Sequence, residues 1–146
     1  MKVYVASSWR NLLQQGVVGA LKAAGHEVYD FKNPGPGKEG FSWKQINPNW
    51  SIDRPAVIPF EHRRMLEHPV AQAGFKSDMD ALRECDVCVL VLPCGRSAHL
   101  ELGWAVGAGK KTVVLEPDPI EPDLMYLMCD RLCISFDELL DYFNVH

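Results

Sequence analysis

Glu101 is the one formal charge in Ser97 to Ala108, a stretch otherwise small or apolar on every side. A carboxylate buried there without a partner would cost on the order of several kcal/mol. It is therefore either paired for structure, or turned to a cleft where it does chemistry. Perturbed carboxylates in clefts concentrate at functional sites, which favours the second reading. Arg96 and Ser97 stand just before it, and Ser7, Ser8 and Arg10 follow the first apolar run. Hydroxyls, backbone N–H groups and a guanidinium at a helix start make a cradle for phosphate or carboxylate. The plainer alternative is a Ser8 cap and a solvated Arg10. Asp78 is the second carboxylate of interest. It flanks the stripe of Phe75, Met79 and Leu82, spaced i, i+4 and i+7, and can lean toward a cleft while Asp80 points away. A first-turn carboxylate beside a Ser77 cap explains it equally simply.

Those groups need elements to hold them. Val87 to Leu92 is an unbroken apolar run bounded by turn residues, as in a strand buried on both faces. Pro93 to Arg96 break it. Ser97 then suits the cap of a buried helix to about Ala108, closed by Gly109. Before this, Lys2 to Ala6 reads as a strand and Ser7 to Arg10 as a turn. A helix follows to about Ala24 with Leu13, Val17, Leu21 and Ala24 on one face, and His26 to Phe31 is a second strand. The first turn lacks G-x-G-x-x-G, so no dinucleotide fingerprint is present. Lys32 to about Ile58 is a long segment rich in Pro and Gly that carries Phe41, Trp43 and Trp50. It reads as an ordered lid whose aromatics could stack on a planar ligand, or as a loop pinned by its tryptophans. Helices are expected over Pro59 to Glu67 and from Pro69 or Ser77 to Glu84. Thr112 to Leu115 and Arg131 to Ile134 are further strands, with a short helix from Pro122 to Met128 between them. Ser135 and Glu138 form a capping box for a last helix ending near Phe143.

Five alternations of strand and helix predict an α/β fold. The expectation is a flavodoxin/Rossmann-like, five-stranded parallel sheet with helices on both faces, a three-layer αβα sandwich in one domain over 1–146. In strand order 2-1-3-4-5, ligands bind beyond the carboxyl ends of strands one and three. Ser7, Ser8, Arg10, Arg96, Ser97 and Glu101 converge there, roofed by the long loop. The pieces describe a site for a small, phosphorylated, planar ligand.

A chain of 146 residues with 47% hydrophobic and 23% charged residues suits a globular domain with a sizeable core. A net charge of −4 gives no electrostatic reason to expect a nucleic-acid polymer as partner. No apolar run approaches the roughly 20 residues of a membrane helix. The N-terminus runs straight into a strand, so no cleavable signal is expected, and five cysteines read as reduced thiols in a cytoplasm. Cys85 and Cys88, with Cys129 and Cys133, have a spacing that a four-thiolate zinc site could use. Cys88 falls inside a buried strand and Cys85 just before it, so their side chains should diverge. Buried structural cysteines, with no metal and no cofactor, are expected.

The chain resembles the nucleoside 2-deoxyribosyltransferase-like family, including its nucleoside-monophosphate N-glycosidase branch. The matching residues are Y-V-A-S-S-W-R at Tyr4 to Arg10, D-M-D-A-L-R-E-C-D-V at Asp78 to Val87, and H-L-E-L-G-W-A-V-G-A-G-K at His99 to Lys110. The resemblance implies Glu101 as nucleophile at the anomeric carbon. It implies Asp78 as the residue that orients the sugar or manages the base's proton, and Tyr4 as the phenol that positions the nucleophile. Ser8 and Arg10 would bind phosphate, with Ser7, Gly95, Arg96 and Ser97 as further substrate contacts. Trp9, Phe41, Trp43 and Trp50 are candidates for base stacking. The turn before the glutamate, C-G-R-S-A-H, is shorter and more basic than usual for that branch, and the loop from Asn33 to Trp50 is unusually long and aromatic. The expected partner is a nucleoside or nucleotide, and a homodimer or higher homo-oligomer is expected, with Trp104 and the Met125, Tyr126, Met128 cluster as candidate contacts. A nucleotide-sensing module on the same sheet, a TIR-like NAD glycohydrolase and a catalytically dead homologue are the alternatives.

Overall fold

The computed structural model describes residues 1–51, 59–118 and 121–145. The end of the long aromatic segment, 52–58, and residues 119–120 of the proline loop lie outside the described residues. The elements are β1 (Lys2–Ala6), α1 (Gln14–Ala23), β2 (Glu27–Asp30), α2 (Pro59–Glu67), α3 (Pro69–Glu84), β3 (Val87–Val91), α4 (Arg96–Gly107), β4 (Lys111–Leu115), β5 (Arg131–Cys133) and α5 (Phe136–Val145). Single 3₁₀ turns cover Trp43–Gln45 and Leu124–Met128.

The chain divides into two compact units, Met1–Asp30 with Ala81–His146, and Phe31–Asp80. The first unit holds one parallel sheet in the order β2-β1-β3-β4-β5. It is the expected three-layer αβα architecture. β3 is central and every one of its residues is buried, which is why it reads as an unbroken apolar run. Alternate residues serve the two faces. Val3, Val5, Val87, Val89, Val91, Val113 and Leu115 face the core shared with Val17, Val18 and Leu21 of α1 and Leu139 and Phe143 of α5. The opposite face carries Tyr4, Cys88 and Thr112 side by side in register, and α4 packs on β1, β3 and β4 through Ala98, Leu102 and Ala105.

Helix ends follow their local sequence. Gly25 and Gly109 take φ of +88° and +74°, where a side chain would be strained. At each, paired bonds close the helix. His26 N–H reaches Leu21 O and Gly25 N–H reaches Lys22 O; Lys110 N–H reaches Ala105 O and Gly109 N–H reaches Val106 O. Ser135 Oγ accepts from the Glu138 N–H at 3.2 Å, and Glu138 Oε2 accepts from Ile134 N–H at 3.0 Å, one residue ahead of the cap. The expected capping box is thus present with its return bond shifted by one.

Three local expectations are corrected. α4 begins at Arg96 with Gly95 at its cap, so Ser97 lies inside the helix instead of capping it. α4 is not buried all round either: Leu100 is 75% exposed and Trp104 36%, because only the Ala98, Leu102, Ala105 stripe meets the sheet. Phe75, expected on the sheet-facing stripe of α3, is 63% exposed, whereas Leu82 is fully buried.

The second unit carries the aromatics of the long segment. Ser42 Oγ accepts from the Lys44 N–H and starts the 3₁₀ turn, and Gln45 Nε2 donates to Gly40 O at 3.1 Å. The rings of Phe41 and Trp43 meet edge-on at 4.8 Å, and Phe41 packs on the backbone of α3 at Gly74.

Candidate functional site

At the carboxyl end of the sheet, β1 and β3 are neighbours, and the chain leaves β1 toward β2 on one side and returns to β3 on the other. This is the switch point where open α/β sheets present their crevice. β1 runs into Ser7–Arg10, and β3 into Leu92–Gly95, which includes a cis Leu92–Pro93 peptide.

Side chains tie the two turns together. Ser7 Oγ donates to Val91 O at 2.8 Å. Asn11, 4% exposed, does most of the joining. Its Nδ2 donates to Val91 O at 3.2 Å and Pro93 O at 3.1 Å, while its Oδ1 accepts from the N–H groups of Leu13 at 2.7 Å and Gln14 at 2.9 Å. One amide thus uses both donors and both acceptor positions to start α1 and to hold the end of β3. Ser8 Oγ accepts from the Arg10 N–H at 3.2 Å, so it shapes its own turn; α1 itself starts at Gln14 under Asn11. Asp30, at the end of β2, is buried and takes Gln14 Nε2 at 2.8 Å and Gln15 Nε2 at 2.9 Å.

Arg10 and Arg96 both project exposed from these adjoining turns, and neither has an ion-pair partner among the described residues. Gly95, in extended backbone, brings no side-chain cap to α4. No cap side chain therefore satisfies the first-turn N–H groups, and the positive end of the helix favours an anion. Ser97 is exposed in that first turn.

Glu101 is half-buried on α4. Its charge is felt by two thiols. Burial, with Glu101 adding to it, pushes the Cys94 thiol up to about 12. Cys88 is held well above the usual thiol range by burial first, then by Cys85 and Glu101. Cys88 is the register partner of Tyr4, which is fully buried and stacked on Tyr29 with ring centroids 5.2 Å apart. Glu101 therefore belongs to the helix covering the sheet face that bears Tyr4 and Cys88. A half-buried carboxylate whose charge reaches the thiols of Cys88 and Cys94, with exposed cations on two adjoining turns, can act as a nucleophile next to an anion-binding rim.

Tyr4, Ser7, Ser8, Trp9, Arg10, Gly95, Arg96, Ser97 and Glu101 all lie in the first unit, and Trp9 is half-exposed on the β1 turn. Asp78, half-buried on α3, lies in the second unit with Phe41, Trp43 and Trp50. Lys76 pairs with Asp80 one turn along that helix.

Sequence reasoning gave no role to Asn11, Asp30 or His99, and it named Tyr126 only as a candidate contact between copies of the chain. Asn11 had a readable signal, a capping-type residue ahead of an apolar helix, which the two serines before it obscured. His99 stands in the H-L-E-L-G run, yet its partner Tyr126 is distant in sequence. His99 Nδ1 lies 2.8 Å from Gly95 O and 3.7 Å from Cys94 Sγ, and Nε2 lies 2.8 Å from Tyr126 Oη. Among the described residues no three His, Cys, Asp or Glu side chains are grouped to hold a metal ion. Cys85 Sγ instead donates to Leu82 O, and all five cysteines are free.

The fold and this crevice define a three-layer, flavodoxin/Rossmann-like α/β protein with an acidic side chain at the switch point. The chain is similar in structure to a 2-deoxyribosyltransferase of Bacillus psychrosaccharolyticus, with a TM-score of 0.61 and 19% identity over 97% of this chain and 92% of that one. It is also similar to a CMP N-glycosidase of Clostridium botulinum, with a TM-score of 0.54 and 16% identity over 99% of each chain. At such identities the likeness is one of fold. No family model matches the chain, and no curated protein does.

Proposed function

We propose that this protein cleaves or transfers the N-glycosidic bond of a (deoxy)nucleoside or its 5′-monophosphate, with Glu101 as the nucleophile. The observation that carries the reading is the half-buried Glu101 carboxylate, set over the Tyr4 and Cys88 face beside turns that bear Arg10 and Arg96. The fold shared with a deoxyribosyltransferase and an N-glycosidase agrees with it.

In the proposed reaction a Glu101 oxygen bonds to the anomeric carbon as the carbon–nitrogen bond breaks, through an oxocarbenium-like state. The bonding pair leaves with the base, which takes a proton or hydrogen bond from an acid. Water or a second base then attacks the sugar ester and releases Glu101. Water makes the protein a hydrolase, a base makes it a transferase. Tyr4 orients the nucleophile. Ser7, Ser8, Arg10, Gly95, Arg96 and Ser97 receive the sugar or phosphate, and Trp9 is assigned to the base. No metal or redox group enters this scheme. Five free thiols suit the reducing cytoplasm, and no helix among the described residues is long and apolar enough to cross a membrane.

The test is chromatographic release of free base from a panel of nucleosides, 5′-monophosphates and NAD, with and without an acceptor base. Glu101→Gln should lower release by about three orders of magnitude or more. Full turnover in that variant sinks the nucleophile assignment, and no release from any substrate favours a nucleotide-binding module of the same fold. Self-association belongs to the proposal: Trp104, Met125 and Met128 are exposed large apolar side chains. Light scattering should give a dimer or larger, and a monomer at micromolar concentration contradicts it.

A further inference from the structure

The Gly95 carbonyl can only accept, so His99 Nδ1, 2.8 Å away, must carry a proton. In the neutral ring Nε2 is then the acceptor, and the Tyr126 phenol at 2.8 Å must donate to it. The two rings also lie nearly parallel, with centroids 5.9 Å apart and planes 16° apart. Burial first, then the charge of Asp123, pushes the Tyr126 phenol up to about 12, which keeps it a donor. The chain of contacts runs from the 3₁₀ turn Leu124–Met128 through Tyr126 and His99 to the cap residue of α4. His99 thus grips the carbonyl of Gly95, four residues back, and lies against Cys94. Cys94 in turn feels the charge of Glu101. The brace adds a side-chain bond to the Gly95 carbonyl at the start of α4, which has no side-chain cap of its own. It fastens the Pro93–Arg96 turn, where the phosphate rim meets the helix bearing Glu101.

We propose that His99, held as its Nδ1–H tautomer between the Gly95 carbonyl and the Tyr126 phenol, is the positioning residue that sets the Pro93–Arg96 turn and the start of the Glu101 helix. The functional side of this rests on the reading of Glu101 as nucleophile. The tautomer side does not. His99 touches no substrate in this scheme; it acts through the turn.

The experiment pairs two readouts on the full chain. Nitrogen NMR of ¹⁵N-histidine-labelled protein should show His99 protonated at Nδ1 and unprotonated at Nε2. Tyr126→Phe keeps the ring and removes the donor, so the Nε2 resonance should move while Nδ1 stays protonated. Base-release kinetics on the same variant should show kcat down by about three- to tenfold, the size of one lost hydrogen bond, with KM nearly unchanged. His99→Ala should lower kcat further. His99→Asn, which keeps a donor toward Gly95 O, should recover part of the loss. An Nε2–H tautomer, or an Nε2 resonance indifferent to Tyr126→Phe, overturns the proposal whether or not the protein turns over any substrate. Unchanged kcat in both Tyr126→Phe and His99→Ala overturns the positioning role. If wild-type protein releases no base at all, the Glu101 reading fails, and the tautomer experiment still decides the brace.

Discussion

Cys94 reports on Glu101. The thiol at Cys94 is pushed up to about 12 by burial, with the Glu101 carboxylate adding to the effect. Glu101→Gln removes that charge and leaves the shape of the side chain. The Cys94 thiol should then ionise more readily and react with iodoacetamide about threefold faster at mildly alkaline pH, since the thiolate is the nucleophile. Peptide mapping by mass spectrometry reads this site by site, with Cys85 as an internal reference because its own shift has other causes. An unchanged Cys94 rate would mean that the carboxylate does not lie over this thiol. At the same scale, Asn11 shows how a short polar side chain does the work of several. Its amide joins the start of α1 to the end of β3 through four bonds, so the geometry of the crevice depends on a residue that need not touch a ligand.

The mid-helix glycines Gly74 of α3 and Gly19 of α1 stand in opposite circumstances. A Cβ at Gly74 of α3 would lie 2.9 Å from Phe41 Cβ and 3.0 Å from Cγ, the rigid root of that side chain. A Cβ at Gly19 of α1 would meet nothing within 4 Å. Replacing glycine by alanine in a helix gains about 1 kcal/mol from backbone entropy. At Gly74 overpacking costs about 1–3 kcal/mol and should win. Gly74→Ala is therefore expected to lower the urea midpoint and Gly19→Ala to raise it. Equal shifts of one sign would refute the packing drawn between Phe41 and α3. The glycine at 74 is thus kept by a neighbour from the aromatic segment, against its own helix propensity.

Across the molecule, all five thiols and the phenols of Tyr126 and Tyr142 are held above their ordinary values, burial being the first cause in each. In the unfolded chain the thiols ionise near 9.0. Above that pH the unfolded state binds fewer protons than the folded one, so stability falls as pH rises. The contribution is complete below about pH 9 and lost progressively toward 12, the Cys94 value in the fold. Urea midpoints should hold steady from neutral to pH about 9 and then decline. A midpoint that rises through that range would mean that the thiols are not buried as described.

The sequence by itself determined the layered αβα architecture, because its signals are local and redundant. β3 is apolar throughout since both its faces are covered, and Gly25 and Gly109 mark helix ends that only a left-handed residue closes without strain. Alternation and handedness leave more than one strand order open, and the structure has the flavodoxin-like order 2-1-3-4-5. Glu101 stood out as a lone charge in an apolar helix, and Ser7 to Arg10 as the turn after a first strand. What only the tertiary structure decided are contacts between residues far apart in the chain. Asn11 reaches Val91 and Pro93, Asp30 takes two glutamine amides from α1, and Tyr126 meets His99. Exposure is of the same kind. The apolar runs of α4 and α3 looked buried, yet Leu100 and Phe75 face outward, because a helix buries only the stripe that meets a neighbour, and periodicity alone does not say which stripe that is.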